Sequence, residues 1–227
     1  MTWEKEKKNF VEFIFNQEVI GFFKEPLKLK SGRLSYWYVN WRNVAEDVYS
    51  MDKLTDFVFE FIEDLNLKPD CFYGVPEGAT KLGVIAQYKW AKRNSAQKNE
   101  YVLSMGRARP KEHGDPKDKF FLGVPRGKVI VLEDVTTTGG SLIQTIHKLE
   151  SINTNIIAAI GLTNRNELRD DGRSVKQAIS DLGIKYYAMS DALELIPELY
   201  HKSLPGKEIK EHIEHYFQKY GIESIKL

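Results

Sequence analysis

Apolar positions in this chain follow two rhythms. Between residues 2 and 16, Trp3, Phe10, Phe13 and Ile14 recur at the spacing of one helix face, and the polar, glycine-bearing stretch through Asn40 reads as a hairpin-like cap. Leu54, Phe57, Val58, Phe61, Ile62 and Leu65 then keep the i, i+3, i+4, i+7 pattern behind the candidate N-caps Ser50 and Asp52, which predicts an amphipathic helix. Beyond it the rhythm alternates. Strands are expected over 71–75, 101–105, 129–132, 156–162 and 185–189, with helices over 81–92, 142–149 and 175–182. A long polar loop should run to Arg126, and a surface helix over 205–220 should close the chain. Parallel neighbours need crossover connections, so the alternation predicts an α/β fold with a doubly wound, mainly parallel sheet. Residues 1–45 would form a small N-terminal cap on a single domain spanning 1–227.

Composition narrows the function classes. A chain of 227 residues with 42% hydrophobic and 29% charged positions can bury a continuous core and is neither disordered nor fibrous. Its formal net charge of +1 gives no whole-surface attraction for nucleic acid or membrane, and leaves small polyanions as partners. Cys71, the one cysteine, sits in the apolar run Cys71-Phe72-Tyr73, so no intramolecular disulfide forms and the thiol reads as a packing residue. The N-terminus mixes charges and aromatics, unlike a signal peptide, and no stretch approaches the roughly 18 apolar residues of a spanning helix. A cytoplasmic location is expected.

The candidate chemistry concentrates in one segment. Val129 to Leu132 form an apolar run suited to a strand buried on both faces, and Glu133 and Asp134 stand where that strand should end. Ligands of open α/β sheets bind beyond the carboxyl ends of the strands, where two adjacent carboxylates can accept hydrogen bonds from sugar hydroxyls. Val135, Thr136, Thr137, Thr138, Gly139, Gly140 and Ser141 lead into the helix that begins with Leu142. Free backbone N–H groups, the helix dipole, glycines that allow close approach and hydroxyl donors together favour a phosphate there. Taken alone, a hydroxyl-rich turn before a helix also serves as an ordinary cap.

With the acid pair before it, this segment resembles the 5-phosphoribosyl-1-pyrophosphate (PRPP) signature of the type I phosphoribosyltransferases. The resemblance implies that Glu133 and Asp134 contact the ribose hydroxyls while Val135 to Ser141 wrap the 5-phosphate. Other segments resemble orotate phosphoribosyltransferases in particular. Leu29-Lys30-Ser31-Gly32-Arg33, with Ser35 and Asn40 after it, is similar to that family's N-terminal element. Lys30 would then contact PRPP, and Tyr36, Trp37 and Tyr38 would lie along orotate, with Thr137 and Arg165 also at the base. By composition alone this stretch is a solvated basic turn entering an aromatic edge strand.

Arg107, Lys111, His113 and Gly114 match the family's catalytic loop, which implies catalytic roles for the first three and a homodimer whose loops close over each other's sites. Without that match the segment reads as a charged, solvated loop. Asn164-Arg165-Asn166-Glu167 resembles the D-R-x-E element, whose arginine reads the base and could form a forked pair with it. Gly74 to Thr80 resemble the pyrophosphate loop, with Glu77, Gly78 and Ala79 at the leaving group.

Three positions depart from the pattern. Ala108 and Glu77 stand where relatives carry basic residues, and Asn164 replaces an acid; Arg109 and Lys81 are expected to make up the missing charge. The implied reaction transfers ribose from PRPP to orotate N1, with Mg²⁺ held mainly by PRPP and water rather than by protein ligands. His212 and His215 share a helix face, but no third ligand accompanies them. A purine as acceptor, or a PRPP-sensing regulator without catalysis, are the alternatives.

Overall fold

The computed structural model describes residues 3–107, 109–113 and 119–227. The chain runs through α1 (Trp3–Asn16), β1 (Ile20–Lys28), β2 (Leu34–Val39), α2 (Arg42–Glu46), α3 (Val48–Asp64), β3 (Cys71–Gly74), α4 (Thr80–Arg93), β4 (Met105–Gly106) and β5 (Phe121–Leu122). It continues through β6 (Lys128–Thr136), α5 (Gly140–Glu150), β7 (Asn155–Asn164), α6 (Val175–Ser180), β8 (Tyr186–Asp191), α7 (Ala192–Ser203) and α8 (Lys207–Tyr220).

The central sheet is parallel, in the order β3-β6-β7-β8. Its strands are apolar on both sides, so successive residues feed opposite cores. Phe72, Ile130, Leu132, Ala158, Ile160 and Met189 join the core that includes α1, α3, α4, α7 and α8. Cys71, Tyr73, Val129, Val131, Ala159 and Tyr186 join the core under α5 and α6. This two-sided burial is the physical content of double winding, and each fully buried large side chain contributes roughly 1.5–3 kcal/mol. Cys71 is fully buried, and burial pushes its thiol up to about 12.

Two expectations change here. No strand covers 101–104; the segment becomes strand only at β4, which pairs antiparallel with β5 in a separate ribbon. Among the described residues the central sheet therefore has four strands rather than five, and beyond the β4–β5 ribbon Arg107 N–H donates to Phe120 O at 2.9 Å and Lys111 N–H to Lys119 O at 2.8 Å. Gly106 is needed at the ribbon's foot, because a Cβ there would lie 2.1 Å from the Tyr73 hydroxyl and 2.6 Å from Pro76 Cγ. The helix expected behind Ser50 or Asp52 starts earlier, capped by Asp47, whose carboxylate accepts from the Ser50 N–H at 2.7 Å.

Over the site stands the antiparallel hairpin of β1 and β2, with Gly32 at φ 83° in its turn. α8 is no solvated surface helix. Ile209, Ile213, Tyr216 and Phe217 line one face and are buried, and Phe217 stacks on Trp37 of the hairpin at 5.7 Å between ring centroids. Among the described residues no helix is long and apolar enough to cross a membrane.

Candidate active site

Beyond the carboxyl ends of β3, β6 and β7 a cavity of about 620 Å³ opens beneath the hairpin. Lys30 and Tyr38 line it from the hairpin, Glu77 and Gly78 from the turn after β3, and Glu133, Asp134, Val135, Thr137, Thr138, Gly139, Gly140 and Ser141 from β6 and the start of α5. Arg165, just past β7, completes the wall.

The β6 side is one continuous strand, loop and helix start. Gly139, at φ 70°, turns the loop into α5, whose first N–H groups have no partner within the helix and suit an anion. Lys30 Nζ donates to Ser141 Oγ at 2.9 Å, joining the hairpin to this loop across a long stretch of chain. Asp134 is half-buried, whereas Glu133 is buried. Burial, and then the adjacent Asp134 carboxylate, hold the Glu133 carboxyl well above the usual carboxylate range, against the pull of Lys30. Gly78 faces the same acid so closely that a Cβ would lie 2.3 Å from Asp134 Oδ2, so any side chain there would push the Asp134 carboxylate from its place.

The Arg165 side is a buried polar network drawn from three parts of the chain, the hairpin, the segment after β7 and α8. Arg165 Nε donates to Glu167 Oε1 at 2.7 Å, and Nη2 donates to Ser35 Oγ at 3.1 Å and to the Tyr216 hydroxyl at 3.4 Å. Tyr216 donates in turn to Glu167 Oε1 at 2.9 Å, and Arg33 Nη1 donates to Glu167 Oε2 at 2.8 Å. The Arg165 guanidinium lies 3.6 Å from the centroid of the Trp37 ring, a close cation–π contact. Arg165 is only 1% exposed, and its Nη1 has no hydrogen-bond partner among the described residues. Nη1 is thus the donor left for a ligand.

Several expected site residues lie elsewhere. Trp37 is fully buried beneath Arg165, and Tyr36 stacks on His212 at 3.9 Å, so of the three aromatics only Tyr38 reaches the cavity. Alternation along β2 puts Trp37 on the face opposite Tyr38, because successive side chains take opposite faces, while Tyr36, on the same face as Tyr38, is taken up by His212. Thr136 is buried under the loop, its hydroxyl 2.5 Å from that of Tyr186. Ala79 is buried and its N–H donates to Val75 O at 3.1 Å, so that amide is not available to pyrophosphate. Arg165 cannot offer the expected two-nitrogen fork, since Nε and Nη2 are engaged. Lys81, expected to make up the charge missing at Glu77, does not line the cavity; its Nζ donates to Ala45 O at 2.9 Å.

Arg107 is half-buried at the ribbon, and Arg109, Lys111 and His113 are exposed on it; none of them lines this chain's cavity. Ala108 and Gly114 lie outside the described residues. Asn164 keeps the acceptor role of the acid it replaces, since its Oδ1 accepts from Asn166 N–H at 3.0 Å where Asn166 adopts φ 54°.

The sequence reading missed Glu167 as an anchor, Tyr216, and Arg169, whose Nη1 donates to Thr138 O and so braces the phosphate loop. The apolar spacing of Ile209, Ile213, Tyr216 and Phe217 was the available signal for burial of α8.

A parallel central sheet with helices on both faces matches the fold of the type I phosphoribosyltransferases. No protein-family model matches the chain. It is 30% identical over 154 residues to an orotate phosphoribosyltransferase of Bradyrhizobium diazoefficiens, an alignment covering 65% of this chain and 78% of that one. It is 29% identical to an orotate phosphoribosyltransferase of Clostridium botulinum, over 96% of this chain and 99% of the relative. The crystal structure of orotate phosphoribosyltransferase from Francisella tularensis shares the fold, with a TM-score of 0.68 at 24% identity over 94% of this chain and 99% of that one. The chain belongs to the orotate phosphoribosyltransferase family.

Proposed function

We propose that the protein moves the 5-phosphoribosyl group of PRPP onto N1 of orotate, giving orotidine 5′-phosphate and pyrophosphate for pyrimidine nucleotide synthesis. The observation that carries this reading is the shared cavity. The Glu133–Asp134 pair and the 137–141 loop stand on one side and the unpartnered Nη1 of Arg165 on the other, so sugar phosphate and an anionic base meet in one space. The loop amides and Ser141 hold the 5-phosphate, the acid pair holds the ribose hydroxyls, and Lys30 exchanges Ser141 for a donor oxygen. Glu77 and Gly78 face the leaving pyrophosphate, Tyr38 flanks the base, and Arg165 Nη1 donates to it. Bond formation at ribose C1 and departure of pyrophosphate need no protein nucleophile, so positioning and charge stabilisation are the protein's work.

The hard carboxylate oxygens of Asp134, beside the ribose position, fit Mg²⁺ that is otherwise held by PRPP and water. When bound, Mg²⁺ supplies charge neutralisation on the pyrophosphate oxygens. Arg107, Lys111 and His113 belong in this reading to a partner's site in a homodimer, which is consistent with their standing outside their own chain's cavity. Residues 1–227 act as one catalytic unit capped by residues 1–45, in the cytoplasm.

The test is to mix the protein with Mg²⁺, PRPP and orotate and follow loss of orotate absorbance together with pyrophosphate release. Turnover with orotate is expected. Consumption of PRPP with hypoxanthine or adenine instead, and none with orotate, would overturn the assignment.

A further inference from the structure

We infer that Tyr216, on α8, is a positioning residue that holds Arg165 with Nη1 turned to the base, and hence sets affinity for orotate. The inference rests on the orotate reading above. Tyr216 does not line the cavity and so acts through Arg165.

A guanidinium is planar, and its N–H groups point outward along three edges. Which edge meets a ligand depends on what occupies the others. Nε is held by Glu167 at 2.7 Å and the face lies on Trp37 at 3.6 Å, which sets the plane; what keeps the far end of the group from swinging is the hold on Nη2. Nη2 is held by two hydroxyls, Ser35 Oγ at 3.1 Å and Tyr216 at 3.4 Å. Ser35 is itself fixed, donating to Trp37 O at 2.7 Å, so its lone pair faces Arg165. Tyr216 is fixed in the same way, because its proton goes to Glu167 Oε1 at 2.9 Å and leaves the hydroxyl oxygen as an acceptor. Both hydrogens of Nη2 are therefore satisfied and only Nη1 remains.

The phenol also ties Arg165 to Glu167 a second time, closing a three-membered ring of hydrogen bonds through Nε, Oε1 and the hydroxyl. Removing the hydroxyl leaves a hydrogen of Nη2 and a lone pair of Glu167 without partners in a buried place. The guanidinium then recovers a partner by turning away from its present orientation, and the donor edge moves off the base.

The experiment is Tyr216→Phe, which keeps the ring packed against Trp37 and Tyr220. Steady-state kinetics with PRPP, Mg²⁺ and orotate should show KM for orotate raised about tenfold, in line with loss of a hydrogen bond to a charged group. KM for PRPP and kcat should change less than about twofold. Ser35→Ala removes the other acceptor of Nη2 and should shift KM for orotate alone in the same way. Because either hydroxyl can partly hold Nη2, the double variant should lose more than the product of the single losses. A merely structural role would lower the melting temperature and depress all kinetic constants together, which would overturn the inference. A wild-type protein that consumes orotate, with Tyr216→Phe leaving KM for orotate unchanged, overturns the positioning role alone. A wild type that does not consume orotate overturns the reaction and this role together.

Discussion

The two ends of the cavity, assigned on the proposed reading to ribose phosphate and to base, are built in opposite ways. The first is a single run of chain, from Glu133 to Ser141, whose functional groups are backbone amides, hydroxyls and a half-buried acid open to the cavity. The second is a closed network in which Arg165, Glu167 and Ser35 are almost fully buried and Arg33 and Tyr216 nearly so. An open grip binds through what the ligand adds; a closed one has its geometry set before the ligand arrives. On the proposed reading, damage at the two ends should therefore register in different observables, stability and orotate affinity at the Arg165 end and PRPP affinity at the other.

The largest effect is expected at Glu167. Its carboxylate faces Arg33 at 2.8 Å and Arg165 at 2.7 Å with no exposed side-chain surface. Glu167→Ala leaves the buried Arg165 cation uncompensated and Arg33 with only the exposed Asp170, at 3.3 Å, as an acid partner, and should cost about 3–5 kcal/mol in urea unfolding, because breaking a buried pair strands the remaining charge. A loss below about 1 kcal/mol would show that the base end is not the rigid half.

Asp134→Asn should invert that profile. Unfolding free energy should stay within about 1 kcal/mol, while kcat/KM for PRPP falls roughly 10- to 100-fold, the loss of one or two charge-assisted hydrogen bonds. Equal losses for PRPP and in stability would break the contrast.

Glu133 sharpens it through pH. Its folded-state pKa is raised above the ordinary 4.5 by burial and by Asp134. The folded protein therefore binds more protons than the unfolded chain above that value. The stabilising contribution is fully present below about pH 4.5 and is lost as pH rises through the folded pKa, at about 1.4 kcal/mol per pH unit within the window. Glu133→Gln should flatten this decline in a series of melting curves against pH, and an unchanged slope would show that another group carries it.

The smallest effect belongs to Ser141→Ala. It removes the exposed Lys30 contact at 2.9 Å and should raise KM for PRPP only about two- to fivefold without moving the melting temperature.

The same contrast accounts for what could be read from the chain alone. The acid pair and the Thr-Thr-Thr-Gly-Gly-Ser loop were visible because strand, turn and helix start are consecutive, and the chemistry of each follows from local backbone geometry. The parallel α/β class was visible for the same reason, in the alternation of apolar runs and helical spacing. Trp37 was misplaced because an aromatic residue beside a basic turn looks the same whether it flanks a ligand or supports an arginine. Thr136 and Ala79 were misplaced because a motif is continuous in sequence, whereas burial alternates within it. The strand expected over 101–105 failed because a short apolar run does not say which sheet, if any, will accept it.

Periodicity and neighbours a few residues apart were enough to set the winding of the sheet and the loop from Thr137 to Ser141. Only the tertiary structure decided the base end, where Ser35, Arg165, Glu167 and Tyr216 meet from opposite ends of the chain. A buried guanidinium takes its orientation from the acceptors around it, and those acceptors become neighbours only when the hairpin, the end of β7 and α8 close on one core.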